Sequence, residues 1–158
     1  MLNKKGFTLI ELLVVIAIFA LMANITMISL DRAKRESRDT KRMSDINQLR
    51  SALQLYSTDK QSYPAGDGVA LGVTSRSTLD GRGWAAGPPE TPFYMPIVPR
   101  DPKMVSQTES PCTDTSSSPC DYGYTLYSAD SYVIYFYFEG KLGGMEPGLH
   151  WATKDNIY

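Results

Sequence analysis

Phe7-Thr-Leu-Ile-Glu-Leu-Leu-Val-Val-Ile-Ala-Ile-Phe-Ala-Leu-Met-Ala-Asn-Ile-Thr-Met-Ile-Ser-Leu30 is the stretch that decides how this chain folds. As an α-helix it is about 36 Å long, against about 30 Å for the hydrocarbon core of a bilayer. Its one ionisable residue is Glu11, near the start. A carboxylate inside a membrane helix is unfavourable by about 2.5–3.5 kcal/mol at mid-depth and by less near an end, so such an acid serves a function and needs a compensating cation. No residue of the run supplies one; the nearest sources are Lys4, Lys5 or a new amino terminus made by cutting the chain. The run predicts a single membrane-spanning helix. Its short start, with two lysines and no acid, is expected on the cytoplasmic side, which sends the remainder outward.

Around that acid the order Lys4-Lys-Gly-Phe-Thr-Leu-Ile-Glu-Leu-Leu-Val-Val-Ile-Ala-Ile18 resembles the amino terminus of type IV pilins and of the pseudopilins of type II secretion. The resemblance implies a cut after Gly6 by a dedicated aspartyl peptidase, methylation of the new amino group on Phe7, and a filament as the product. Gly6 has no side chain to obstruct a catalytic dyad. Glu11 matches the acid of that family. It lies four residues beyond Phe7 and so shares a helix face with it, where it can pair with an amine of its own or of a neighbouring chain. The implied partners are the prepilin peptidase, the assembly machinery of the inner membrane and further copies of the chain in a helical homo-oligomer. Leu21-Met-Ala-Asn24 is a poor version of an ordinary secretory cleavage site.

Beyond Leu30 the chain turns charged without a helix breaker: Asp31 to Arg42 reads DRAKRESRDTKR, a solvated collar on this reading. Met43, Ile46, Leu49, Ala52, Leu53 and Tyr56 then recur at three- and four-residue steps, the mark of one buried helix face. With neither Gly nor Pro from Phe7 until Pro64, the sequence predicts one helix from about Phe7 to about Thr58. Many pilins have a kinking proline in the apolar half; this chain has none. Three segments follow: a leader peptide over 1–6, a transmembrane and filament-core half over 7–30, and a periplasmic or extracellular globular domain over 31–158 that includes the second half of the helix. The 158 residues leave room for one such domain.

Residues 65–107, rich in Gly and Pro, read as a long irregular connection held down by Trp84, Phe93, Tyr94, Met95 and Ile97. Met95-Pro-Ile-Val-Pro-Arg-Asp-Pro102 resembles the step that leads into the sheet of major pseudopilins, with Arg100 and Asp101 setting a turn. Tyr122–Tyr127 and Tyr132–Phe138 are aromatic and β-branched, as strands are, with Ser128-Ala-Asp-Ser131 as the hairpin turn. In the second strand Tyr132, Ile134, Phe136 and Phe138 share one face, while Val133, Tyr135 and Tyr137 share the other. That outer face is expected to meet a loop or a neighbouring subunit. Glu139 resembles the acid that closes this strand in pseudopilins, and a third strand is expected over 149–153. The fold class is α+β and pilin-like: a long amino-terminal helix on a small antiparallel sheet.

Cys112 and Cys120 lie on the outer side of the anchor, where oxidising conditions make a disulfide the default. No cofactor is expected. Calcium is the one ion left open, because some major pseudopilins bind it near the carboxyl end. Asp114, Asp121, Asp130 and Asp155 are the candidate donors, without EF-hand spacing. The parts of an enzyme are missing: one histidine, His150, and no phosphate loop, zinc pair or serine elbow. A net charge of -1 argues against nucleic acid as a partner. The expected function is a structural filament subunit, either a pseudopilin of the G-like shape or a type IV pilin. The alternative is a minor pilin-like binding module at a filament tip, for adhesion or DNA uptake.

Overall fold

A computed structural model describes residues 7–105 and 108–158, with the backbone alone at 24–26 and 28. Helix α1 runs Leu9–Lys60, within two residues of the expected bounds at each end. It stops at Gln61, whose positive φ of 60° lies in the left-handed region that commonly ends helices. The Gln61 N–H donates to the Ser57 carbonyl at 2.9 Å and its side-chain amide to the Thr58 carbonyl at 3.1 Å, covering two carbonyls of the last turn. Two compact units divide the chain, one ending at Arg35 and the other comprising Glu36–Tyr158.

In the first unit the described side chains from Phe7 to Ala23 are all exposed. Among the described residues no helix is long and apolar enough to cross a membrane. The span expected over 7–30 includes 24–26 and 28, whose side chains lie outside the described residues.

The second unit is built on the predicted stripe. Ile46, Leu49, Ala52, Leu53 and Tyr56 of α1 are buried in one cluster with Tyr122, Tyr124, Tyr132, Ile134, Phe136 and Phe138. The strands that cover them are β5 (Gly123–Ser128), β6 (Ser131–Phe138) and β7 (Gly148–Ala152), joined at one edge by the two-residue β1 (Val69–Ala70). The sheet order is β1-β5-β6-β7, all antiparallel, with Tyr135 opposite Gly123 on one side and Trp151 on the other. Burial alternates along β6 as the sequence requires: Tyr132, Ile134, Phe136 and Phe138 are inside, and Val133, Tyr135 and Tyr137 half-buried outside.

The expectation of an irregular 65–107 is corrected. A second sheet forms there from β2 (Thr78–Asp80), β3 (Gly83–Ala85) and β4 (Phe93–Met95), in the order β3-β2-β4. Strands of three residues are too short to show alternation in a sequence, and their hydrogen bonds come from partners brought back by turns. Asp80 fixes one such turn: its carboxylate accepts from the Arg82 N–H at 2.9 Å, the Arg82 guanidinium at 2.6 Å and the Glu90 N–H at 3.0 Å. The Arg82 hydrogen bond is the main reason the Asp80 carboxyl is held well below the usual carboxylate range. Of the five side chains expected to hold this region down, Met95 is buried and Trp84 and Tyr94 pack on the core. Phe93 and Ile97 instead face water, at 54% and 81% exposure, because β4 is an edge strand and Ile97 follows its end.

Candidate functional site

Gly6, on which the expected cleavage rests, lies outside the described residues. Phe7 is exposed and precedes the helix. Glu11 is held by its own helix start: Oε2 accepts from the Thr8 N–H at 2.8 Å and from the Thr8 hydroxyl at 2.7 Å, while the Glu11 N–H donates back to Thr8 Oγ1 at 3.3 Å. Thr8-Leu-Ile-Glu11 is therefore a capping box, with threonine as the cap and glutamate three residues on, satisfying amides that a helix start otherwise leaves without acceptors. The sequence itself carries that signal, a threonine with a glutamate three residues on ahead of an apolar run. The carboxylate also sits where the positive end of the helix dipole favours it. Among the described residues one oxygen of Glu11 caps the helix and the other, Oε1, has no hydrogen-bond partner.

The charged collar, which straddles the boundary at Arg35, divides. Residues 31–37 are exposed, as expected, but Asp39 and Arg42 are fully buried. The Arg42 guanidinium meets the Asp101 carboxylate through two bonds, at 2.6 and 3.0 Å, and reaches Asp39 at 2.6 Å and Glu139 at 2.9 Å. Arg38 adds a paired contact to Glu139 at 2.7 and 2.8 Å, and Lys103 a third cation at 3.0 Å. Asp39 also accepts the Glu139 and Gly140 N–H groups at 3.1 and 2.8 Å. Helix, loop and strand end are thus tied through one cluster. Burial pushes the Glu139 carboxyl up, but hydrogen bonds from Arg38, Lys103 and Arg42 outweigh it and hold the group at about 2. Burial likewise works against the Arg42 charge, and Asp101, Asp39 and Glu139 overcome it, so its affinity for the proton is raised.

A sequence signal for this cluster exists. Asp39 and Arg42 continue the stripe of Ile46, Leu49, Leu53 and Tyr56 backward by three- and four-residue steps, and polar residues on a buried stripe need buried partners. Asp101 was expected to set a turn. It does, its carboxylate accepting the Lys103 N–H at 2.8 Å and its carbonyl the Met104 N–H at 3.0 Å, and it also pairs with Arg42.

Cys112 and Cys120 are bonded, with Cα atoms 5.1 Å apart, and both are buried. In the chain-entropy model so short a loop contributes about 2–3 kcal/mol. Asp121 anchors the loop base: Arg100 reaches its carboxylate at 2.7 and 3.0 Å, and the Ser110 N–H at 3.0 Å. At Gly123 a Cβ would lie 1.8 Å from the Cys112 carbonyl oxygen, so only glycine lets the loop settle on β5. Asp121 is consequently occupied by a guanidinium. Among the described residues no group of three or more His, Cys, Asp or Glu side chains is placed to hold a metal ion. His150 packs on Phe136, ring centres 5.8 Å apart, with its ring nitrogens 2.9 and 2.7 Å from the Tyr158 and Glu146 carbonyls.

Comparison with known proteins bears on the first unit most directly. Residues 1–23 match the family model described as the prokaryotic N-terminal methylation motif. The chain is 36% identical over 78 residues to a type IV wide pilus major component of Thermus thermophilus, a stretch covering 49% of this chain and 60% of that protein. It is 31% identical over 103 residues to the type II secretion system core protein G of Vibrio cholerae, covering 65% and 67% of the two chains. With the core protein G of Klebsiella michiganensis it shares 32% over 106 residues, 63% and 68%. No solved structure matches.

Proposed function

We propose a specific role for this chain, which belongs to the type IV pilin and type II secretion pseudopilin family: it is a filament subunit whose axial position is set by Glu11. On this reading the peptidase cuts after Gly6 and methylates Phe7, and the subunit waits in the membrane with residues 7–30 in lipid, its amino terminus cytoplasmic and its globular unit outside. Machinery of the inner membrane then extracts it into a helical homo-oligomer. The protein works as a building block and not as an enzyme. The pseudopilin role is the preferred one, because several core G proteins align over about two thirds of their length.

The observation that carries this reading is the divided use of the Glu11 carboxylate. Apolar packing of Leu9, Ile10, Leu12, Leu13, Val14 and Val15 supplies affinity between helices but little register, since one apolar side chain substitutes readily for another. A charge pair between the open Glu11 oxygen and the Phe7 amine of a neighbour fixes the offset, because leaving either charge buried and unpaired is costly. Glutamine also completes a capping box, so Glu11→Gln keeps the helix start and removes only the charge. Both Glu11→Gln and Glu11→Ala are expected to be cleaved and to accumulate, yet to give few filaments by shearing or electron microscopy. Glu11→Asp should retain part of the yield. Normal filaments from Glu11→Gln would leave capping as the whole role of the side chain and remove registration; an uncut Met1 mass for the parent chain, with peptidase present, would remove processing.

A further inference from the structure

The outer face of the four-stranded sheet has a feature that the proposed role of Glu11 does not involve. Tyr135 and Trp151 are direct partners across β6 and β7, so their side chains stand side by side on the face turned away from the core. With Val133, Leu149 and Thr153 they line a cavity of about 350 Å³, a size at the small end of ligand sites. Its remaining wall is Asp114, supplied by the disulfide-closed loop. The loop arrives there because Cys112 settles on Gly123, the residue opposite Tyr135 on the other side.

The chemistry of this lining is one-sided. It holds a single charge, negative, and no cation. Among the described residues Asp114 has neither an ion-pair nor a hydrogen-bond partner, although four arginines and three lysines elsewhere in the unit are engaged by acids. The two rings present π systems whose faces are also negative. Trp151 remains 42% exposed, its ring stacked on Tyr158 at 5.7 Å and 22°. An apolar, aromatic cavity beside an uncompensated carboxylate complements a cation that is itself largely apolar. Such a cation gains from the ring faces and from Asp114, and gives up little hydration on entering.

We propose that this cavity binds a small organic ammonium ion of the choline type, with Trp151 and Tyr135 as its ring contacts and Asp114 as its counter-ion. A metal ion is a poor fit, since one carboxylate is the only strong donor present. A sugar ring would use the aromatic faces but would not need the unpaired charge.

The test is a titration of the full-length, isotope-labelled chain in uncharged micelles with choline, followed by backbone and indole N–H shifts. Saturable shifts are expected at Trp151, Tyr135 and Asp114. 3,3-Dimethylbutanol, of the same shape but neutral, should bind markedly more weakly, and glucose should not compete. Asp114→Asn, an exposed change in a loop held by its disulfide, should weaken choline by about two- to five-fold, and Trp151→Leu by about ten-fold, with shifts elsewhere unchanged. Equal binding of the neutral alcohol, choline binding unaffected by Asp114→Asn, glucose shifting these residues in place of choline, or no saturable shift at all would each overturn the assignment.

Discussion

Residues 9–23 and residues 39–56 lie on one helix and meet their surroundings in opposite ways. In the first stretch every side chain is exposed, Leu, Ile, Val and Phe included. In the second, burial returns every third or fourth residue, at Asp39, Arg42, Ile46, Leu49, Leu53 and Tyr56. A stretch that is apolar all round has no polar face to show to water and suits surroundings that are apolar all round: lipid, or a bundle of like helices. A striped stretch is satisfied by its own chain, with the sheet on one side and water on the other. The same backbone geometry thus serves association in one half and folding in the other. The two carboxylate systems divide likewise: among the described residues one Glu11 oxygen has no partner, whereas Asp39, Asp101 and Glu139 are engaged by Arg42 and its neighbours.

The sharpest way to break this contrast is at the buried charge. Arg42→Ala leaves three carboxylates facing one another without their shared cation, and should lower the stability of the globular unit by about 3–5 kcal/mol in urea denaturation of the full chain. A loss below about 1 kcal/mol would mean that water reaches the cluster and that the striped half is less closed than described.

A matched pair of leucines compares the halves directly. Leu53→Ala should reduce stability by about 2–5 kcal/mol, since it empties space in a closed core. Leu13→Ala, on the exposed stretch, should change it by less than about 0.5 kcal/mol while lowering filament yield. If Leu13→Ala shifted the unfolding midpoint as far as Leu53→Ala, the two stretches would not be separate in function.

The smallest effect expected is on acid stability. Glu139 ionises at about 2 in the folded chain against an ordinary 4.5, so on acidification the unfolded chain takes up the proton first. Its contribution is complete above about pH 4.5 and is lost progressively as pH falls towards 2. Asp80, also held low, adds loss of the same sign. Glu139→Gln should flatten the slope of stability between pH 4.5 and 2 by part, and leave the Asp80 share. An unchanged slope would show that Glu139 is screened by solvent.

Much of the architecture was legible in the residues. The helix could be read from the absence of Gly and Pro up to Pro64 and from the stripe at 46–56. The hairpin could be read from two aromatic runs around Ser128–Ser131, and the disulfide from the chain's two cysteines on its expected outer side. The second sheet was not legible, because Thr78–Asp80, Gly83–Ala85 and Phe93–Met95 are each too short to carry a period. The Arg42 cluster was legible only in part. Periodicity places Asp39 and Arg42 on the buried stripe, but nothing in the sequence names Asp101 and Glu139 as their partners.

By itself, then, the sequence determined the local and periodic properties of this protein. A sustained apolar run with one acid, a striped helix and alternating strands all express side-chain chemistry at fixed spacing along the chain, which needs no knowledge of distant partners. Only the tertiary structure decided which distant groups meet: Arg42 with Asp101, 59 residues away, and Glu139, 97 residues away, and Asp114 beside Trp151 at the outer cavity. Those pairings depend on how separate elements meet in space, and a buried charge is tolerated only where that meeting supplies its opposite.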